Sequence, residues 1–208
     1  MTSIALRLKD LACERGGRPL FSGLNAELRA GHLLRVQGAN GAGKTSLLRM
    51  VCGLLVPSQG QVLWQGEPVA TARQALGHHR VYIGHAAGLK DDFSPLENLR
   101  LACALAAAPV DEVAARRALQ LAGLRGHEHT HVRRLSQGQR RRSVLARLAL
   151  QPAPALWVLD EPFNALDVGA VEWLCGLLRE HLHQGGLAVL TSHQDIEIDA
   201  ASQQVLSL

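Results

Sequence analysis

The segment from Gly38 to Thr45 constrains the fold of this chain more than any other part of the sequence. It reads GANGAGKT and matches the phosphate-binding pattern G-x-x-x-x-G-K-[ST]. The apolar residues 33–37 predict a strand before it, and residues 44–52, closed by Gly53, predict a helix after it. In this context the glycines let successive backbone N–H groups converge on a phosphate, helped by the positive end of the helix. We therefore expect an α/β protein that binds phosphate groups at this loop.

Two side chains of the loop carry the expected chemistry. The ammonium group of Lys44 is placed to reach the β- and γ-phosphates of a nucleotide, and the hydroxyl of Thr45 is placed to ligate Mg²⁺. The loop residues expected to contact the nucleotide are Gly38, Ala39, Asn40, Gly41, Ala42, Gly43, Lys44, Thr45 and Ser46.

Composition excludes several other classes of protein. Of the 208 residues, 47% are hydrophobic and 19% are charged, which is typical of one globular domain and unlike a disordered chain. Apolar runs stay well short of the roughly 18 residues that cross a membrane, and the N-terminus lacks the features of a secretory signal, so we expect a cytosolic chain. The four cysteines are scattered, which argues against zinc and disulfide frameworks. The net charge of +4 favours anionic partners, but only 3% aromatic residues argues against nucleic acid.

The order of predicted elements suggests an insertion within an α/β core. Strands are predicted on both sides of a middle segment that contains only helices, from about 90 to 152. The continuous apolar runs 155–159 and 187–191 are typical of strands buried on both faces of a parallel sheet. We expect a single domain whose core comprises 1–89 and 153–208. Further elements are predicted as strands at 4–8, 24–28, 61–65 and 80–84, and as helices that start at the capping residues Ser94 and Asp111.

A second set of chemical groups follows the first of these buried runs. Asp160 and Glu161 end that strand, and the carboxyl edge of a parallel sheet is where ligands of α/β proteins bind. Asp160 is placed to hold Mg²⁺ through water. Glu161 can polarise an attacking water as a general base.

A third motif reads Leu135-Ser136-Gln137-Gly138-Gln139 at the start of a predicted helix. Here the sequence resembles the ATP-binding-cassette (ABC) ATPases, whose signature is LSGGQ, with Gln137 as the departure. The resemblance covers essentially the whole chain, and it implies the P-loop NTPase fold with an inserted helical subdomain, and ATP and Mg²⁺ as cofactors. It further implies that the signature residues Ser136, Gln137, Gly138 and Gln139 contact nucleotide held by a second protomer, that Asp167 belongs to the D-loop, and that His193 binds the γ-phosphate beside Glu161.

At two positions the sequence departs from what the resemblance implies. Arg15 stands where the family usually has an aromatic residue over the adenine, and a guanidinium can also lie over a purine ring. His85 stands where the family has the glutamine that senses Mg²⁺ and the membrane subunit, and its imidazole can still form a hydrogen bond.

Two clusters are interpreted as surface features. The histidines 127, 129 and 131 alternate within a polar stretch, so a solvated loop is favoured over a metal site. The arginines 140–142 are interpreted as a solvated helix face, with contact to anionic lipid or a partner as the alternative.

Within the ABC ATPases, the segments CERGGRPLFSGL, VLWQGEPV, IGHAAGLKDDFSPLENL, LARLAL and VLDEPFNALDVGAV resemble the cytochrome c maturation subfamily, CcmA. That resemblance implies a peripheral subunit at the cytoplasmic face of the inner membrane. It would form a homodimer, hydrolyse ATP and drive membrane-embedded subunits of a haem exporter complex, with haem handled by those partners. The alternatives are an ABC subunit that exports or imports another small molecule, and a non-transport ABC ATPase. A P-loop kinase or GTPase is disfavoured because the N-K-x-D motif is absent.

Overall fold

The computed structural model describes residues 4–71, 77, 79–150, 153, 155–192, 197–198, 200 and 202–208. Residue contacts divide the chain into two compact units. The first comprises 1–82, 154–161 and 179–208, and the second comprises 83–153 and 162–178. In the described part of the chain, no helix has both the length and the apolar character needed to cross a membrane.

The strands form two sheets. In chain order they are β1 (Ile4–Arg15), β2 (Arg18–Arg29), β3 (His32–Gln37), β4 (Gln59–Trp64), β5 (Glu67–Pro68), β6 (Arg80–Ile83), β7 (Leu156–Leu159), β8 (Leu187–Thr191) and β9 (Ser202–Ser207). One sheet is antiparallel with the order β2-β1-β4-β5, and the other has the order β6-β7-β8-β3-β9. In the second sheet β7, β8, β3 and β9 run parallel, which aligns their carboxyl ends along one edge.

The helices are α1 (Lys44–Val51), α2 (Pro95–Leu105), α3 (Glu112–Leu121), α4 (Gln137–Leu145) and α5 (Val168–His183), with short 3-10 helices at Val132–Arg134 and Ala146–Ala149. Their ends follow the predicted caps. Ser94 forms a complete capping box with Glu97, and the Asp111 carboxylate accepts from the backbone N–H of Ala114. Gly53, in the left-handed conformation at φ +65°, follows α1 as predicted.

The core of the first unit lies between the two sheets and α1. It is built from alternate residues of the parallel strands together with inward-facing residues of β1, β4 and α1, and includes Leu6, Leu8, Leu34, Val36, Leu47, Leu48, Val62, Trp64, Leu156, Val158, Leu187 and Val189. Every residue of β7 and β8 is buried, so the prediction that these strands are covered on both faces is confirmed.

The second unit has a core of its own. Residues of α2, α3 and the 3-10 helix at Ala146–Ala149 pack together, among them Leu96, Leu99, Cys103, Ala115, Ala118, Leu119 and Ala146. The described residues between 90 and 150 contain helices and no strand, as the sequence predicts.

The first hairpin is much longer than the two short strands predicted at 4–8 and 24–28. Each of its strands has twelve residues. The pairing register shifts between Leu8 and Leu11, and Asp10 adopts a left-handed backbone at φ +47°. Such a bulge interrupts the alternation of apolar and polar residues, which is why the pattern predicts only part of each strand.

Candidate functional site

The loop between β3 and α1 has the backbone that a phosphate cradle needs. Gly41 and Gly43 have φ values of +86° and +105°, in the region that favours glycine. A Cβ atom on Gly43 would lie 2.9 Å from Cε1 of Phe21, and one on Gly38 would lie 2.9 Å from the carbonyl oxygen of Leu208. Side chains at Gly38 and Gly43 would collide with these neighbours, so glycine at both positions lets the loop backbone pack closely against Phe21 and Leu208.

The start of α1 is prepared for an anion. Gly43 occupies the N-cap position and has no side chain to cap the first N–H groups of the helix, and its first turn carries no acidic residue. The Nζ atom of Lys44 donates hydrogen bonds to the carbonyl oxygens of Gly38 at 2.7 Å and Ala39 at 3.3 Å. The ammonium charge therefore lies across the mouth of the loop, next to the helix N-terminus that favours negative charge.

Asp160 connects this loop to the end of two parallel strands. The hydroxyl of Thr45 donates to Oδ2 of Asp160 at 2.7 Å, and the hydroxyl of Thr191 donates to Oδ1 at 2.9 Å. Asp160 is only 2% exposed and Thr191 is fully buried. A buried carboxylate held by two hydroxyl groups has a fixed position, as a group that faces a metal ion requires.

Glu161 is positioned through its backbone. Its N–H group donates to the hydroxyl of Thr191 at 2.8 Å, so Thr191 joins both carboxylate residues. Glu161 is 7% exposed and adopts a left-handed backbone at φ +49°, which is rare for a residue other than glycine. Backbone strain of this kind is common where a side chain is held in a particular direction for chemistry.

Tyr82, in the strand next to β7, shares this environment. Burial raises the pKa of its hydroxyl, and the negative charge of Asp160 raises it further. A hydrogen bond with Arg49 of α1 acts in the opposite direction. The Tyr82 hydroxyl thus remains protonated and available as a donor over the whole neutral range.

The donor set of this cluster fits Mg²⁺ bound together with a nucleotide. Mg²⁺ prefers oxygen ligands and is usually held by one or two carboxylates with substrate phosphates and water. Thr45 and Asp160 offer a hydroxyl and a carboxylate at adjoining positions. In the described part of the chain, no three His, Cys, Asp or Glu side chains form a metal-binding group. With the Thr45 hydroxyl and the Asp160 carboxylate as protein ligands, a bound Mg²⁺ would take its other ligands from phosphate and water.

The signature residues lie in the second unit, at the start of α4. The hydroxyl of Ser136 accepts from the backbone N–H of Gln139, and the side chain of Gln139 accepts from the N–H of Ser136. Both Ser136 and Gln137 are exposed. A Cβ atom on Gly138 would lie 2.7 Å from the carbonyl oxygen of Ala165, so a glycine is required here for packing as well. The motif thus presents a helix N-terminus to solvent.

The remaining predicted residues lie in several parts of the chain. Arg15 is exposed at the end of β1, opposite Arg18 in the hairpin. His85 is exposed two residues after the end of β6, in the second unit. Asp167 caps α5, because its Oδ1 accepts from the N–H of Ala170 at 2.8 Å. His193 lies outside the described residues.

Two histidines of the cluster at 127–131 contact other groups of the protein. Nδ1 of His131 lies 2.7 Å from the carbonyl oxygen of Asp92, and Nε2 of His129 lies 3.2 Å from Nη2 of Arg116. The arginines 140–142 are less exposed than a solvated face would be. Arg140 is only partly exposed and pairs with Asp91 at 2.9 Å, and Arg141 is buried.

Thr191 is a residue of this site that is not predicted from the sequence. It ends β8 and is recognised there only as part of an apolar run. Its position is the available signal, because β7 and β8 are paired and parallel, so their carboxyl ends meet. Phe21, which packs against Gly43, is also not predicted, because its contact with the loop depends on tertiary structure.

Comparison with known proteins gives a consistent result. The family model described as ABC transporter matches residues 21–164. A cytochrome c biogenesis ATP-binding export protein CcmA from Nitrosospira multiformis is 49% identical over 199 residues, covering 96% of each chain. The protein of the same name from Pseudomonas putida is 47% identical over 206 residues, covering 99% of this chain and 97% of its own.

Solved structures show the same fold. An ABC transporter ATP-binding protein from Pyrococcus furiosus superposes with a TM-score of 0.82 at 22% identity, covering 97% of this chain and 96% of its own. A dimeric ATP-binding cassette in a post-hydrolysis state, bound to ADP and Pi, superposes with a TM-score of 0.78 at 21% identity, covering 91% of this chain and 88% of its own.

Proposed function

The chain belongs to the ABC transporter family and, within it, to the CcmA group. On that premise we propose that it is the ATP-binding and hydrolysing subunit of the haem exporter complex of c-type cytochrome biogenesis. The observation that carries the enzymatic part is the buried network around Asp160. It joins Thr45 at the phosphate loop to Thr191 and the backbone of Glu161.

Binding of the nucleotide is assigned to the loop and α1. The backbone N–H groups of 38–45 and the Lys44 ammonium would hold the β- and γ-phosphates, and the hydroxyl of Thr45 with Asp160 would hold Mg²⁺. When bound, Mg²⁺ neutralises charge on those phosphates. His85 is a further candidate for the metal region on the family resemblance. Arg15 is the candidate to lie against the adenine.

Hydrolysis is assigned to Glu161, with His193 as its helper. The Glu161 carboxylate would accept a proton from the attacking water, whose oxygen bonds to the γ-phosphorus as the bond to the bridging oxygen breaks. ADP and inorganic phosphate are the products. Burial of Glu161 and its anchored backbone support this role, because a general base must be held within hydrogen-bond reach of its proton.

We further propose that two copies of the chain act together. One chain carries both the phosphate loop and the exposed signature helix, so a homodimer would contain two equivalent sites. In each, nucleotide bound at Lys44 and Thr45 would contact Ser136, Gln137, Gly138, Gln139 and Asp167 of the other copy. A helix N-terminus that points to solvent suits this role because its N–H groups attract the γ-phosphate.

The dimer would drive membrane-embedded subunits from the cytoplasmic face of the inner membrane. Binding of ATP would close it, and hydrolysis would reopen it. The helices of the second unit, with the segment at His85, would pass this movement to the membrane subunits. Haem would be handled by those subunits, since this chain is assigned nucleotide chemistry alone.

The test is complementation of a bacterium that lacks its own CcmA. The wild-type chain should restore covalent haem on c-type cytochromes, measured by haem staining, and Lys44→Ala should not. Lys9→Ala is the matched control, since Lys9 is exposed on β1, and it should behave as wild type. Haem proteins of the b type should be unchanged throughout. The proposal is contradicted if Lys44→Ala restores the cytochromes, or if the wild-type chain assembles with the membrane subunits and restores none.

A further inference from the structure

Resting on that proposed function, we propose that Arg141 is a positioning residue for ATP hydrolysis. It lies within α4, the helix that the signature residue Ser136 opens. Its contacts connect this helix to the residues next to His85 and Glu161 in the sequence.

The guanidinium of Arg141 forms hydrogen bonds with two distant parts of the chain. Its Nη1 donates to the carbonyl oxygen of Gly84 at 2.9 Å, and its Nε donates to the carbonyl oxygen of Pro162 at 3.3 Å. Arg141 is 6% exposed. In the sequence, Gly84 directly precedes His85 and Pro162 directly follows Glu161. One side chain thus holds the backbone next to each of these two residues.

Arginine suits this position for a physical reason. The guanidinium is planar and rigid and offers donors in two fixed directions, whereas the lysine ammonium acts as a single point on a flexible stem. Removing a buried cation from water is costly unless hydrogen bonds replace its hydration. Packing alone does not explain a buried charge at this position, which supports a role for Arg141 in positioning the backbone at Gly84 and Pro162.

A second contact fixes the same segment. Ala165 lies three residues after Pro162 with a left-handed backbone at φ +63°, and its carbonyl oxygen fits against Gly138 with no room for a side chain. Helix α4 therefore holds the segment after Glu161 at two points one helical turn apart, Gly138 and Arg141. Movement of the signature helix would then be passed directly to that segment and to Gly84.

The experiment is a double-mutant cycle between Arg141→Lys and Glu161→Gln, measured by single-turnover hydrolysis of radiolabelled ATP. Arg141→Lys alone should lower the hydrolysis rate about tenfold while the dissociation constant of ATP for the single chain stays unchanged. In the Glu161→Gln background the same substitution should have no further effect, because its effect passes through the base.

Controls separate a positioning role from a general loss of stability. Arg142→Lys is the control, because Arg142 has the same residue type and charge and lies in the same helix. In the wild-type chain Nη1 of Arg142 donates a long hydrogen bond of 3.4 Å to the carbonyl oxygen of Gly123. It should hydrolyse ATP at the wild-type rate. Arg141→Gln repeats the cycle if Arg141→Lys fails to fold, since an amide can still donate one hydrogen bond.

Two results would overturn the inference. One is a tenfold loss that persists in the Glu161→Gln background, which would make Arg141 independent of the base. The other is a loss confined to ATP binding or thermal stability, with the rate of the bound complex unchanged. Full hydrolysis by Glu161→Gln alone would instead refute the proposed function and is therefore distinguishable from both.

Discussion

Thr191 offers the sharpest test of how the candidate site is held together. Its hydroxyl donates to Oδ1 of Asp160 at 2.9 Å and accepts the backbone N–H of Glu161 at 2.8 Å, and the residue is fully buried. Thr191→Val replaces this hydroxyl with a methyl group of similar volume. Thr191→Ser keeps the hydroxyl and removes the methyl group instead. The two variants therefore separate the hydrogen bonds from the packing.

The expected free energies differ clearly. Loss of the hydrogen bond to a carboxylate and of the acceptor for a buried N–H should together lower the free energy of unfolding by about 3 kcal/mol for Thr191→Val. Loss of one buried methyl group should lower it by about 1 kcal/mol for Thr191→Ser. Because the backbone of Glu161 loses its anchor, Thr191→Val should also hydrolyse ATP roughly tenfold more slowly.

Urea unfolding followed by circular dichroism measures the first effect, with the slope against denaturant as a check that the unfolded states are comparable. Steady-state phosphate release at saturating ATP measures the second. The reasoning is refuted if Thr191→Ser is the less stable variant, or if Thr191→Val keeps both the stability and the rate of the wild type.

Three further predictions concern other parts of the molecule. Gly138→Ala should lower the rate of ATP hydrolysis about tenfold and leave the binding of ATP to the single chain unchanged, because the added Cβ would lie 2.7 Å from the carbonyl oxygen of Ala165. The control Gly176→Ala has open space around its Cβ in α5, so it should hydrolyse ATP at the wild-type rate and gain up to about 1 kcal/mol of stability. Burial lowers the pKa of His181 from its usual 6.5, so as the pH falls the imidazole is protonated in the unfolded chain before it is protonated in the folded one. The free energy of unfolding should therefore decrease below about pH 6.5, and it should decrease less steeply in His181→Phe. Urea unfolding across this pH range measures the effect, and equal pH dependence in the two proteins would contradict it. With Arg15 in place of an aromatic residue, competition binding should show ATP preferred over GTP by about tenfold or less, equivalent to about 1.4 kcal/mol, and a hundredfold preference would place the adenine elsewhere.

Much of the fold follows from local sequence. Ser94 and Asp111 are predicted as helix caps and do cap α2 and α3, because a hydroxyl or carboxylate near the first N–H groups is a local interaction. Ser136 caps α4 in the same way, where the signature motif predicts the start of a helix. The strand, loop and helix around Lys44 are also predicted from local sequence, because an apolar run, the phosphate-loop motif and Gly53 follow one another along the chain.

Interactions between distant parts of the chain escape such reasoning. Thr191 bonds Asp160 across thirty-one positions and Arg141 bonds Gly84 across fifty-seven, and no local pattern indicates either pair. Arg141 also shows how composition can mislead, since a run of arginines predicts a solvated face and one member is buried. The chemical roles of the site residues stay predictions, because they depend on contacts with a nucleotide and with a second protomer.

The central claim is that Glu161 is the base for ATP hydrolysis in a dimer of this chain. The measurement that tests it most directly is the ATP-dependent dimerisation of Glu161→Gln, monitored by light scattering. The substitution keeps the shape of the side chain but removes its capacity as a base. Hydrolysis should fall on the order of 10²-fold or more, while MgATP still binds through Lys44, Thr45 and Asp160, so the variant should accumulate as an ATP-bound dimer. Glu172→Gln, an exposed position on α5, is the matched control and should hydrolyse ATP without accumulating as a dimer. A Glu161→Gln variant that hydrolyses ATP at the wild-type rate, or that stays monomeric with MgATP bound, would contradict the account.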